Sequence, residues 1–309
     1  MKKNLLVLML MMLTVALIAS GCAKEETPQT LKIGVMSDIG AAPYIIAKEN
    51  GYFEALGLYV EITVFKSATD RDTAMQTGNL DGAMADMLTI IFYNDAAFDA
   101  KITSQTYGSY VMVSTPTLDK SGVKALDKIE VGISANTVID FVTEQIAADA
   151  GILEKVSTVA IPQMPVRLEM LGAGELDAAT LPEPLASAAV LNGGEAMMGT
   201  LDLGLQPGIF IMTDAAIDEK SAAIEKLYEG YNQGVDYLNN TDQNDYIQLL
   251  IDQLGFPPSL AESFDFPELS KAQVADEVTF GTVQSWMKER ALTTSEYSFS
   301  DLSTDQFIK

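Results

Sequence analysis

Ile46-Ala47-Lys48-Glu49-Asn50-Gly51-Tyr52-Phe53 returns in kind about a hundred residues later as Ile146-Ala147-Ala148-Asp149-Ala150-Gly151-Ile152-Leu153. In each copy a helical stretch runs to a glycine, the residue type that ends helices in the left-handed conformation. The match extends on both sides. Gly34-Val35 has a counterpart in Gly132-Ile133, and Arg71, Gly78, Leu80, Asp81 and Ala83 are spaced identically to Arg167, Gly174, Leu176, Asp177 and Ala179. Each match alone is weak, but three in one order point to a duplicated unit. Two copies are too few for a solenoid, so two similar lobes are predicted.

The unit itself reads as α/β. Leu31 to Val35 alternates as a strand does, and Pro43 suits the first position of a helix that runs to Gly51. Tyr59 to Phe65 is a second strand, with Val60, Ile62 and Val64 on one face. Thr69 or Asp70 can cap a helix ending near Gly78, and Ala83-Met84-Ala85 makes a third short strand. Strand–helix–strand–helix–strand is the order of a mostly parallel sheet flanked by helices. From about Gly208 the chain offers one more strand, Ile209 to Met212. Helices over Ser221 to Leu238, Gln243 to Leu254 and Lys271 to Arg290 follow. Two topologies stay open at this point. The last third either crosses back to complete the first lobe, with hinge strands near Val111–Ser114 and Pro207–Gly208, or forms a separate helical domain.

Composition removes whole classes of chemistry. The 309 residues hold 19 Lys and Arg, 43 Asp and Glu, no His and one Cys. Without His there is no Ser-His-Asp or Cys-His catalysis and no His-ligated metal. One Cys allows no internal disulfide and no thiolate cluster. A net charge of −24 excludes a nucleic-acid partner, which needs a basic face. No metal or cofactor is expected. The single Cys has a role of its own. Lys2 and Lys3 precede an apolar run, which ends in Leu17-Ile18-Ala19-Ser20-Gly21-Cys22. This has the form of a secretory signal. Its close resembles the bacterial lipobox, where cleavage leaves the cysteine first and lipid, palmitate included, is attached to it. Residues 1–21 are thus expected to be a lipoprotein signal peptide and 22–30 a lipidated tether. Localisation is expected at the extracytoplasmic face of the cell membrane.

Pro43-Tyr44-Ile45-Ile46-Ala47-Lys48-Glu49-Asn50-Gly51-Tyr52-Phe53, followed by Gly57-Leu58-Tyr59-Val60-Glu61, resembles a signature of one group of substrate-binding proteins that serve ABC importers. That group includes binders of alkanesulfonates, taurine, nitrate and thiamine-pyrimidine precursors. Gly174-Glu175-Leu176-Asp177-Ala178-Ala179 with Glu183-Pro184 resembles its second signature. Asp301-Leu302 with Phe307 resembles its C-terminal close. The resemblance implies the two-lobed type II periplasmic-binding-protein fold, with discontinuous lobes and a ligand cleft between them. It also implies a monomer, with ABC permease subunits as partners, and favours the crossing-back topology. The expected division is 31–112 plus 209–309 for lobe 1 and 113–208 for lobe 2. Related folds include enzymes of menaquinone biosynthesis, and a pyrimidine synthase that consumes its own histidine. The lack of His opposes the latter and the export signal opposes both, so no enzyme is expected.

Ligands in open α/β sheets sit beyond the carboxyl ends of the strands, where helix N-termini also point. That rule nominates Ser37, Asp38, Ala42, Asp86, Met87, Thr89, Ser134, Asn136, Thr137 and Glu183. Phe65 and Tyr107 are added as aromatic lining, with Tyr110 nearby. The nominated segments hold three acids and no Lys or Arg. On that ground a neutral or amine-bearing heterocycle is the expected ligand, with a sulfonate, taurine or other small anion as the alternative. Arg71 and Arg167, at equivalent places in the repeat, are expected to serve each lobe structurally.

Overall fold

A computed structural model describes residues 29–308; the predicted signal peptide, Cys22 and most of the tether lie outside them. Ten strands form two mixed five-stranded sheets. The first contains β1 (Gln29–Met36), β2 (Leu58–Phe65), β3 (Gly82–Asp86), β4 (Ala100–Gln105) and β10 (Gly208–Thr213), in the order β2-β1-β3-β10-β4. The second contains β5 (Tyr110–Ser114), β6 (Ile129–Ile133), β7 (Val156–Ala160), β8 (Ala178–Pro182) and β9 (Ala196–Gly199), in the order β7-β6-β8-β5-β9. The orders are the same if β10 in the first sheet is matched with β5 in the second. Each of these two strands is antiparallel to both neighbours and is the strand that enters its lobe from the other.

The repeat is visible at the level of atoms. Gly34 on β1 and Gly132 on β6 each lie under a leucine. A Cβ on Gly34 would meet Leu80 Cδ1 at 2.8 Å, and one on Gly132 would meet Leu176 Cδ1 at 2.7 Å. The two leucines are the paired residues of the sequence repeat, so the same close approach crowds an added side chain at both glycines.

β10 lies between β3 and β4, so the chain does cross back. Helix 214–240, which follows β10, buries Ile224, Leu227, Tyr231 and Val235 in one core with Ile45, Ile46 and Ala47 of helix 42–49. This removes the separate helical domain. The first crossing, however, falls earlier than expected. β5 lies wholly in the second sheet, so the chain changes lobes at residues 106–109, not after Met112. The return occupies 200–207. The crossings touch where Thr106 N–H donates to Gly208 O at 3.1 Å, and a Cβ on Gly108 would stand 3.1 Å from Gly208 N.

Local details differ in instructive ways. Pro43 is the second helical residue, behind Ala42, and Gly51 follows the helix with φ +73° as expected. The helix after β2 is capped by Ser67, which accepts from Asp70 N–H, and not by Thr69 or Asp70. The predicted helix 271–290 begins only at Glu277, because Asp276 caps it and Gln105 Oε1 holds the Asp276 N–H at 2.8 Å. The predicted start at Ser221 corresponds to a kink. Lys220 has non-helical φ −127° and ψ 25°, and its ammonium is tied to Asp81 at 2.8 Å.

Candidate functional site

The lobes are closed on one another. Ile39 N–H donates to Glu183 O at 3.1 Å and Met164 N–H to Lys66 O at 3.1 Å, while Gln163 Nε2 donates to Asp70 Oδ2 at 2.9 Å. On the far side Glu144 of the second lobe accepts from Trp286 Nε1 at 2.7 Å and pairs with Arg290. Trp286 also meets Phe141 edge-on, with ring centroids 5.6 Å apart. Between these contacts lies a cavity of about 40 Å³. That is far below the ~150 Å³ that accommodates benzene in an engineered protein core.

Four of the twelve nominated residues line it: Asp38, Asp86, Ser134 and Thr137. Asp38 follows β1 by two residues and caps the turn Ile39–Ala41, its Oδ1 accepting from Gly40 N–H at 2.9 Å. Asp86 ends β3 and caps helix 87–95, accepting from Leu88 N–H, Thr89 N–H and Thr89 Oγ1. Thr137 caps helix 138–149 and donates to Ser134 O at 2.8 Å. Thr89 stands one layer back, where its hydroxyl accepts from Arg71 Nη2 at 2.9 Å.

The other seven are not on the cavity. Ser37 is buried, but its hydroxyl donates to Leu254 O at 2.6 Å, tying β1 to helix 247–254. Ala42 and Met87 face lobe cores, since the first turn of each helix turns one side inward. Phe65 packs against the core beside Gly34. Asn136 takes φ +56°, which asparagine tolerates, and its N–H is held by Asp140 Oδ2 at 3.0 Å. Glu183 accepts from Ser187 N–H at 3.0 Å and borders a different groove, beside helix 185–191. Tyr107 borders a second cavity of about 190 Å³ at the crossings.

The residues that sequence reasoning undervalued are the two arginines. Both line the cavity, so the absence of basic residues from the strand ends does not carry over to the site. They enter from the helices after β2 and β7, inside those helices and not at the strand ends. The repeat had already paired them, and that was the available signal. Their environments differ. Arg71 is fully engaged: it pairs with Asp72 at 2.8 Å, donates to Met84 O at 3.2 Å and to Thr89 Oγ1 at 2.9 Å. Burial pulls its guanidinium down, but the charges of Asp72 and Asp86 outweigh that and hold it above its ordinary value. Arg167 is 0% exposed and makes one hydrogen bond, from Nη1 to Ile161 O at 2.9 Å. Its Nε and Nη2 are buried with no partner. Burial brings this guanidinium down to about 10. A buried cation with two unmatched donors costs several kcal/mol.

The carboxyls are perturbed too. Burial pushes Asp38 up to about 7, against the pull of the Gly40 and Ala41 N–H groups and Arg71. Burial also raises Asp86, opposed by Arg71 and the Thr89 bonds. For Asp38 the folded protein holds a proton that the unfolded chain releases between about pH 4 and pH 7, so its contribution to stability falls as pH rises through that window and then levels. Asp38→Asn keeps the capping oxygen and removes the charge. It is expected to leave stability at pH 4 near that of the parent and to raise it by up to about 4 kcal/mol at pH 8, read by urea unfolding at the two pH values.

Two like-built lobes closed over a buried polar cavity, with the strand order found here, define the periplasmic-binding-protein fold. The chain belongs to the NMT1-like family, whose model matches residues 24–251. No curated protein matches it by sequence. Among solved structures it is similar to the ligand-binding component of an ABC-type import system from Staphylococcus aureus with zinc bound (TM-score 0.77, 13% identity, covering 90% of this chain and 97% of that one). It is also similar to the alkanesulfonate-binding protein of Xanthomonas axonopodis pv. citri bound to MOPS (0.74, 15%, 89% and 98%). A third is the periplasmic nitrate-binding protein of Synechocystis PCC 6803 (0.70, 13%, 91% and 87%). Among the described residues no group of three or more His, Cys, Asp or Glu is placed to hold a metal, and no helix is long and apolar enough to cross a membrane.

Proposed function

We propose that the chain is an extracytoplasmic solute-binding lipoprotein, anchored through Cys22, that captures a compact anion and hands it unchanged to an ABC importer. The observation that carries the ligand class is Arg167, a buried guanidinium that lines the interlobe cavity and whose Nε and Nη2 have no partner among the described residues. An anionic oxygen there satisfies both donors and offsets the desolvation that the charge otherwise bears. The names of the similar structures, which include import components and binders of alkanesulfonate and nitrate, support the transport role and the anion alternative.

The heterocycle expectation loses its ground. Asp86 is occupied by three local donors, Glu183 borders another groove, and neither Phe65 nor Tyr107 lines the cavity. Entry requires the interlobe bonds at Ile39, Met164 and Gln163 to open by motion at the crossings, so binding selects the closed form.

Thermal-shift and calorimetric titrations with nitrate, formate, methanesulfonate, taurine and an aminopyrimidine test the reading. At least one of the anions is expected to bind and raise the melting temperature, and the aminopyrimidine to leave it unchanged. Tight binding of the aminopyrimidine with no response to any anion overturns it. Mass analysis of the bound solute after incubation is expected to show no turnover.

A further inference from the structure

We propose that the anion is taken up together with one proton, carried on Asp38. The inference rests on the anion reading above and adds to it a specificity-determining residue and a pH dependence.

Asp38 and Arg167 line the same cavity from opposite lobes. Arg167 presents the cation that draws the ligand in. Asp38, 7% exposed, presents a carboxyl that accepts from the turn N–H of Gly40, and among the described residues no salt bridge ties it to a cation. The other charged and titratable groups facing it are accounted for. Arg71 lies on helix 68–76, paired with Asp72, and its charge lowers Asp38 by less than burial raises it; Asp86 is capped by three donors at the end of β3. Tyr110 on β5 is buried and kept protonated, its hydroxyl raised well above its ordinary range by burial and by Asp38 and Asp86. Glu183, across the lobe contact at Ile39, is turned to Ser187.

An anion held in the cavity by Arg167 shares that space with the Asp38 carboxyl. If that carboxyl is ionised, two negative charges share a low-dielectric space, which disfavours the complex. If it is protonated, the repulsion is gone and the acid O–H can donate to an anion oxygen, completing the set begun by Arg167 Nε and Nη2. The ligand therefore binds the protonated form preferentially, and by linkage the bound anion raises Asp38 further. The unliganded carboxyl, already lifted to about 7 by burial, is poised for this coupling. Below that pH the acid is protonated beforehand and affinity is level. Above it each bound anion draws one proton from solution, and affinity falls about tenfold per pH unit until the pKa of the complex is passed.

The test is calorimetry with methanesulfonate and with nitrate between pH 5.5 and 8.5, in buffers of differing ionisation enthalpy. For whichever anion binds, Kd is expected to be flat at the acid end and to rise about tenfold per unit above pH 7, with close to one proton taken up per anion at pH 8. Asp38→Asn is expected to bind the same anion with no pH slope and no proton uptake. Binding with a flat Kd and no proton uptake in the parent protein overturns the proposal while leaving the anion reading intact. A slope that persists in Asp38→Asn assigns the proton elsewhere and also overturns it. If neither anion binds at any pH but the aminopyrimidine does, the anion reading fails first and the proposal falls with it. The proton-uptake measurement needs no variant, so it stands even if Asp38→Asn folds poorly.

Discussion

Arg167→Met is expected to raise the Kd for a small anion by a hundredfold or more and to leave the protein at least as stable as before. Removing one partner of a buried charge pair costs a complex about 2–5 kcal/mol. In the unliganded protein the same charge is a burden, since its Nε and Nη2 have no partner and its only hydrogen bond goes to Ile161 O. Replacing such a buried charge by a well-packed apolar residue is often neutral or stabilising. Methionine keeps the unbranched stem, which is what passes over Gly132, where a Cβ would meet Arg167 Cγ at 3.1 Å. Titration calorimetry and urea unfolding on one preparation read both effects. Arg167→Lys is the intermediate case: it keeps the charge and loses the planar fork, so part of the affinity is expected to survive. An unchanged Kd in Arg167→Met places the anion elsewhere in the cavity. A large loss of stability makes the guanidinium a structural member of its lobe.

Gly234→Ala is expected to be the most damaging single methyl group in the first lobe, with a loss of at least about 2 kcal/mol. Gly234 sits in helix 214–240, where that helix crosses the one holding Pro43 and Tyr44. A Cβ there would stand 2.3 Å from Pro43 O and 3.0 Å from its carbonyl carbon. Both obstacles are backbone, so no side-chain rotation relieves the clash and the helices must part. The core they share includes Tyr44 packed at a tilt against Tyr231 and Phe210, with ring centroids 4.7 Å and 5.2 Å away. Gly281→Ala supplies the opposite control. It lies within helix 277–289 with nothing within 4 Å of the added methyl, so the higher helix propensity of alanine is expected to stabilise by up to about 1 kcal/mol. Urea unfolding of the two variants checks sign as well as size.

The contrast between these two glycines bears on what was readable in advance. Gly51, Gly151 and the strands around them were legible because their cause is local: a left-handed turn after a helix and an alternating apolar face depend on near neighbours. Gly34 and Gly132 were legible as a pair because duplication places the same leucine over each. Gly234 carried no such mark. Its constraint is a carbonyl almost two hundred residues earlier in the chain, and helix periodicity does not show how closely two helices meet.

The candidate site divides in the same way. Strand ends and helix starts could be found from the α/β pattern, and Asp38, Asp86, Ser134 and Thr137 came with them. Ser37, Ala42 and Met87 were as well placed in sequence, but one turn of backbone aims each away from the cavity into a carbonyl bond or a core. Glu183 shows the limit of counting charges: it stands at the right strand end and faces the wrong groove.

By itself the sequence determined the α/β class, the duplicated lobes and the absence of imidazole chemistry, because composition and short-range patterning are properties of the chain alone. It also carried the family resemblance that led to the crossing-back topology. Tertiary structure decided that the lobes change over before Tyr110. It decided which strand-end acids stay occupied as helix caps. It also decided that one arginine of the repeated pair is neutralised by Asp72 while its twin is buried with free donors. That last difference underlies the proposed anion, and it arises from what surrounds each guanidinium once two lobes close, which spacing along a chain does not contain.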